Sequence, residues 1–316
     1  MHSTFPRKLA VVRFIGALLF AVAAIGCGEQ QQAKTGTSKQ LGIVCTTGMV
    51  ADLVGNIGGE RVAVVGLMGP GVDPHYYKAS QGDIQRLAQA DLVFYNGLFL
   101  EGKMEEIFTK MARKKTVVAI SRDVPEDLLR KPAEFGGHFD PHIWFDVSLW
   151  SKTVATVVKE LSAADPAGAE IYARNGADYA DKLVELHQWV IDQVQTIPTG
   201  QRVLVTAHDA FGYFGQAYGI EVMGLQGIST VAEYGVNDVN RLVDIIVERQ
   251  VRAIFVESSI PERSINAVRE GCRAKGLEVE VGGTLYSDAM GGTGSGADTY
   301  IGMVQSNVGT LVGALR

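Results

Sequence analysis

From Leu41 onward, short apolar runs alternate with stretches whose apolar residues recur at helical spacing, the pattern of βα units around a parallel sheet. The runs Leu41–Cys45, Val62–Leu67, Leu92–Tyr95 and Val117–Ile120 predict the strands of a first lobe. Helices fit between them at Met49–Ile57, Gln81–Gln89 and Gly102–Arg113, and the second opens at Ser80 with Asp83 three residues on, the spacing of a capping box. After Pro141 come a short apolar segment and a helix over Ser148–Ser162.

A second series follows, with strands at Val203–Val205, Val222–Leu225, Ala253–Val256 and Leu277–Val281. Its helices fall at Phe211–Tyr218, Asn237–Gln250, Pro261–Lys275 and Ala297–Leu315. Between the two series, Asp165–Ile197 has no proline after Pro166 and a helical composition. Wholly helical, it spans on the order of 45 Å at about 1.5 Å per residue. The fold expected is therefore α/β, with two lobes, each a mainly parallel sheet flanked by helices, joined by a single long backbone helix. Its limits are 41–164 for the first lobe, 165–197 for the linking helix and 198–316 for the second lobe.

The first residues have another purpose. Arg7, Lys8 and Arg13 precede an apolar run, Phe14–Ile25, too short to cross a membrane comfortably and typical of an export signal. The run ends in Ala24-Ile25-Gly26-Cys27, which resembles a bacterial lipobox, with Ala24 where leucine is more usual. Residues 1–26 are read as a lipoprotein signal peptide, Cys27 as the lipidated residue, and the polar stretch 27–40 as a tether too poor in apolar side chains to fold. The protein is expected outside the cytoplasm, in the periplasm or on the cell surface, anchored to a bacterial membrane.

The net charge of −6 is spread without long like-charge blocks, which argues against nucleic acid as a partner. Cys45 and Cys272 are far apart and expected in different lobes as buried thiols. Gly291–Gly296 lacks the spacing of a phosphate-binding motif and is read as a mobile loop.

Three histidines share a setting that suits a ligand site. His75 follows a strand in Asp73-Pro74-His75, His142 stands in the second Asp-Pro-His at Asp140-Pro141-His142, and His208 directly follows a strand in Val205-Thr206-Ala207-His208-Asp209. In open parallel sheets ligands bind beyond the C-terminal ends of the strands, where loops converge. In the two Asp-Pro-His copies proline fixes the backbone beside the imidazole of His75 and of His142, and the neighbouring carboxylate can set its tautomer or the loop geometry. Asp209 and Glu257 are candidates to support such a site; His138 is read as an exposed loop residue and His187 as a surface one.

Four ordered segments carry a family resemblance: Gly71–His75, Asp140–Asp146, Thr206–Phe214 and Leu285–Gly291. They resemble the four metal-ligand segments of the periplasmic zinc- and manganese-binding receptors of ABC importers, the TroA-like family, and the resemblance covers the chain from Leu41 onward. It implies one metal in the cleft between two lobes, with His75 and His142 from the first lobe and His208 and Asp288 from the second. Asp288 enters only through the resemblance. It further implies a non-enzymatic, monomeric substrate-binding component that delivers its ion to a permease and its ATPase subunit. Three neutral imidazoles and one carboxylate suit a borderline cation, so zinc is favoured, with manganese open because no His-rich loop separates His75 from His142. A metal-dependent hydrolase and a metal-stabilised surface adhesin are the competing readings; no His-Glu-x-x-His helix or nucleophile elbow supports the first.

Overall fold

The computed structural model describes residues 40–316. The expected signal peptide, Cys27 and all but the last residue of the expected tether lie outside that range.

The first lobe is a four-stranded parallel sheet built from β1 (Leu41–Cys45), β2 (Val62–Gly66), β3 (Leu92–Tyr95) and β4 (Thr116–Ala119), in the order β2-β1-β3-β4. Central β1 and β3 read as apolar runs because helices cover both faces of a parallel sheet. Helix α1 (Gly48–Gly58) starts where the Thr47 hydroxyl accepts from Val50 N, and it buries Met49, Val50, Leu53, Val54 and Ile57. Helix α2 (Gln81–Gln89) has the expected capping box: Ser80 Oγ accepts from Asp83 N, and Asp83 accepts from Ser80 N. Helix α3 (Glu105–Met111) is shorter at both ends than expected, because Gly97, Leu98 and Phe99 all take left-handed backbone angles and the chain turns through Leu100–Met104 first.

The helix expected over Ser148–Ser162 is two helices, α4 (Val147–Trp150) and α5 (Thr153–Ala164). The Ser151 and Thr153 hydroxyls donate to the carbonyls of Ser148 and Trp150, competing with helical pairing at the joint.

The linking segment opens with a 3₁₀ turn at Pro166–Gly168 and continues as α6 (Ala169–Gln195), whose 27 residues extend about 40 Å. Its N-terminal end is pinned to the first lobe: Arg61 Nε and Nη2 donate to the two Asp165 oxygens at 2.7 and 2.9 Å, and the Tyr172 hydroxyl donates to Asp165 as well. Tyr172, Gly176, Tyr179, Leu183, Leu186, Val190 and Val194 recur every three or four residues and form its buried face. At Gly176 a Cβ would come within 2.5 Å of Val158, so glycine is what lets α5 approach so closely.

The second lobe contains β5 (Val203–His208) paired with β6 (Glu221–Gln226), and β7 (Ala253–Glu257) paired with β8 (Glu280–Leu285), all parallel. Its parallel pairing is thus divided between two ladders, with β5 lying against β7. Around them stand α7 (Gly212–Tyr218), α8 (Val236–Arg249), α9 (Arg263–Ala274) and α10 (Tyr300–Leu315). Strand β8 begins three residues later than expected, because Gly282-Gly283 reads as a break but forms a bulge. The register slips by one residue between Ile254 and Val256, and Gly283 has φ 135°, which glycine alone accommodates easily. Helix α10 starts at Tyr300 because Thr299 caps it, accepting from Gly302 N.

One apolar core runs from the first lobe through α6 into the second, taking in Phe145 against Phe211 and Trp150 against Tyr300. Cys45 and Cys272 are free, buried and in different lobes, as expected. His187 is half-buried, with Nδ1 3.0 Å from the Tyr218 hydroxyl, rather than a surface residue. The glycine-rich stretch read as a mobile loop is tied to itself, with Gly291 N donating to Ala297 O and Gly294 N to Asp298 Oδ2.

Removing the Ser80 cap leaves the α2 amide of Asp83 without its partner. Ser80→Ala is expected to lower unfolding free energy by about 1 kcal/mol in urea titrations, without altering the far-UV spectrum of the native state.

Candidate metal centre

Each of the four candidate residues is delivered by a chain reversal at a strand or turn end. His75 lies beyond β2, His142 opens the 3₁₀ turn Ile143–Phe145, His208 is the last residue of β5, and Asp288 follows β8. All four are buried, and one donor atom from each lies within 4.8 Å of the others.

The separations are those of a coordination shell. His75 Nε2 is 3.3 Å from His142 Nε2 and 3.8 Å from Asp288 Oδ2. His142 Nε2 is 3.4 Å from Asp288 Oδ1, and His208 Nε2 is 3.3 Å from Asp288 Oδ2. These spacings exceed those of good hydrogen bonds. They are close to the edge of a tetrahedron whose corners stand about 2.0–2.1 Å from a central zinc, which is about 3.3 Å. Both Asp288 oxygens and His208 Nε2 are buried without a hydrogen-bond partner. Orphaned polar atoms of this kind, converging on one point, are poorly explained without a cation between them.

The outer ends of two imidazoles meet carboxylates, which fixes their inner nitrogens towards the centre. Asp140 Oδ1 lies 2.8 Å from His142 Nδ1 and accepts from its backbone N, while Arg130 Nη1 donates to the other oxygen at 2.7 Å. The Tyr213 hydroxyl donates to Asp140 O and accepts from Arg130 N, binding this arch to the second lobe. Gly212 leaves the room the Arg130 guanidinium occupies: a Cβ would fall 1.1 Å from Arg130 Nη1 and displace it from Asp140. Asn96 holds the same loop by donating to Pro141 O.

Glu257, at the end of β7, accepts from His208 N through Oε1 at 2.8 Å, and its Oε2 stands 2.6 Å from His208 Nδ1, off the direction of a good hydrogen bond. Asp73 differs from Asp140: its Oδ1 accepts from His75 N rather than meeting the ring, and its Oδ2 accepts from Thr230 Oγ1.

The electrostatics follow from these partners. Burial alone would depress His142, but Asp140 and Asp288 outweigh it and raise its pKa to about 9. His208 likewise overcomes burial through Glu257 and Asp288 and is raised well above the usual histidine value. His75 has no carboxylate on its outer side, and burial pushes it down to about 3 despite Asp288. Burial would raise Asp288, but His208 and His142 hold it well below the usual range.

The four residues named from sequence come together here. His138 does not join them; its ring stacks on Phe99 at 4.4 Å. Glu257 is in place beside His208, whereas Asp209 N donates to Gln226 O. Sequence reasoning missed the Arg130–Asp140–Tyr213 arch. Only the Asp-Pro-His motif hinted at Asp140, and nothing local marked Arg130 or Tyr213.

Two α/β lobes about a long helix, with nitrogen and oxygen donors from both lobes converging in a dry interlobe site, define a metal-binding receptor. The chain belongs to the family described as zinc-uptake complex component A, periplasmic, whose model matches residues 43–314. Manganese-binding lipoprotein MntA of Bacillus subtilis is 48% identical over 303 residues, covering 96% of this chain and 98% of that protein. Zinc-binding protein TroA of Treponema pallidum is 47% identical over 275 residues, covering 86% and 88%. A solved structure of periplasmic zinc-binding protein TroA from Treponema pallidum superposes with a TM-score of 0.85 at 46% identity, covering 87% of this chain and 99% of that one. The protein is therefore the substrate-binding component of a metal ABC importer, a periplasmic or lipid-anchored receptor whose role is transport rather than catalysis. Family membership brings a permease and an ATPase as its partners.

Because His142 and His208 favour the imidazolium form at pH 7, a cation must displace protons to bind. Calorimetry in buffers of different ionisation enthalpy is expected to find at least about one proton released per metal at pH 7, with affinity rising as pH is raised towards about 9. Proton-neutral binding at pH 7 would contradict the assignment of charge.

Proposed function

We propose that His75, His142, His208 and Asp288 are the ligands of one divalent transition metal, carried as cargo and released to the permease. The observation that carries this reading is the Asp288 carboxylate, buried among three imidazole nitrogens with neither oxygen hydrogen-bonded. A dry carboxylate is costly without a cation, and the same environment strengthens its attraction for one.

Zinc is favoured over manganese. Three imidazoles and one carboxylate form a nitrogen-rich set of borderline character, and the spacings fit a small tetrahedral ion. The relatives divide between the two metals, with MntA named as manganese-binding and TroA as zinc-binding, so the donor set decides the preference here. Asp288 presents both oxygens, which leaves the site able to take an ion that prefers more oxygen donors.

The receptor works as a monomer held to the membrane through a lipidated Cys27, with residues 27–40 as the tether. Its metal-binding lobes are 41–164 and 198–316, linked by 165–197. The lobes share one core, so capture involves tilting and local loop movement rather than a wide hinge opening.

His208→Ala is expected to weaken zinc affinity by more than about 100-fold in a chelator competition assay, beyond the 10–100-fold range typical of an outer partner. Glu257→Gln, which keeps the shape beside His208 but loses the charge, is expected within that range. Wild-type affinity in His208→Ala would remove His208 from the site.

A further inference from the structure

Metal must reach a site that is fully enclosed, and the two sides of the interlobe boundary are built differently. On one side the lobes are welded. Trp144 Nε1 donates to Ser287 O, the Tyr300 hydroxyl donates to Trp144 O, the Tyr218 hydroxyl accepts from Val147 N, and the Phe145 ring packs at a tilt on Phe211 with centroids 4.2 Å apart. All these groups are buried, and separating them would open the common core.

On the other side lies the segment 227–234 of the second lobe, between β6 and α8. Three cavities border it. One of about 520 Å³ is lined by Ile228, Ser229 and Val231 and reaches His75. A second, of about 320 Å³, meets Thr230 and Tyr234, and a third, of about 370 Å³, meets Gly227 and Glu233. Ile228 and Thr230 are buried, but Val231, Ala232 and Glu233 are exposed and have few dispersion partners to lose on moving.

Its own fastening is local, through Gln226 Nε2, which donates to the carbonyls of Thr230 and Ala232. Its hydrogen-bonded tie to the first lobe is Thr230 Oγ1 donating to Asp73 Oδ2 at 2.7 Å. The other oxygen of the same carboxylate accepts from His75 N at 2.9 Å. One carboxylate therefore fastens the segment and the backbone of a metal-site histidine at once.

We propose that Thr230 is a positioning residue for metal retention: its hydroxyl, bonded to Asp73, latches residues 227–234 over His75, and the ion passes through the cavity beside His75 when the latch opens. The proposal rests on the four-ligand reading above. Breaking one hydrogen bond to a charged acceptor leaves the ligands and the welded side intact, so it changes how fast the ion leaves more than whether it binds.

The test uses the soluble receptor loaded with zinc, with release to an excess of chelator followed by stopped flow. Thr230→Val keeps the side-chain shape without the hydroxyl, Thr230→Ala removes it differently, and Thr230→Ser restores it. Zinc is expected to leave Thr230→Val and Thr230→Ala about five to ten times faster than wild type, while Thr230→Ser releases at the wild-type rate. The bound stoichiometry stays unchanged in all three. Wild-type release from both hydroxyl-free variants would overturn the latch, as would release from Thr230→Ser as fast as from Thr230→Val. Failure of the wild-type protein to bind zinc at all would instead overturn the four-ligand reading, and the latch with it.

Discussion

The buried carboxylate of Asp288 sets the terms for the rest of the molecule. It stands within 3.8 Å of three imidazole nitrogens, sealed from water, and neither oxygen has a hydrogen bond. An anion in that position is stable only if positive charge is supplied, by protons on the imidazoles or by a metal ion. In the metal-free protein His142 and His208 supply it, each backed by a second carboxylate. A divalent ion supplies it better, because it satisfies all the converging donors at once. On the proposed four-ligand reading the cluster exchanges protons for metal, with an affinity that depends on how firmly Asp140 and Glu257 hold the outer faces of the rings.

Holding four donors at such spacings requires a stiff frame, and the shared core provides one. Helix α6 presents one apolar face to both halves of the molecule, and the aromatic contacts of Phe145, Trp144 and Trp150 carry the core across the boundary. Rigidity on that side leaves the segment 227–234 as the softer part near the centre. On the latch proposal, cargo is exchanged by local loosening beside His75, which keeps the other proposed donors in position for the next ion.

Much of this was legible in the sequence, for physical reasons. Parallel strands covered on both faces must be apolar runs, and β1 and β3 were found at their observed limits. The three histidines were visible because each follows a strand end or an Asp-Pro pair. Other features were hidden by the way they work. Strand β8 was displaced because a glycine pair reads as a break when it is a bulge. Asp288 sits in Tyr-Ser-Asp-Ala, which by itself resembles any polar turn, and only the family resemblance singled it out. Arg130, Asp140 and Tyr213 act together although the last is 83 residues from the first, and no local pattern records a contact of that range. Thr230 and Asp73, 157 residues apart, are hidden for the same reason.

The central claim is that this interlobe cluster takes up one divalent ion. Its most direct test is elemental mass spectrometry of the mature protein, stripped of metal and then offered zinc and manganese together at limiting free concentrations. The account predicts one equivalent of bound metal, zinc in excess of manganese, lost in His208→Ala. Manganese in the protein with zinc left in solution would reverse the metal preference; a protein that takes up neither would contradict the account.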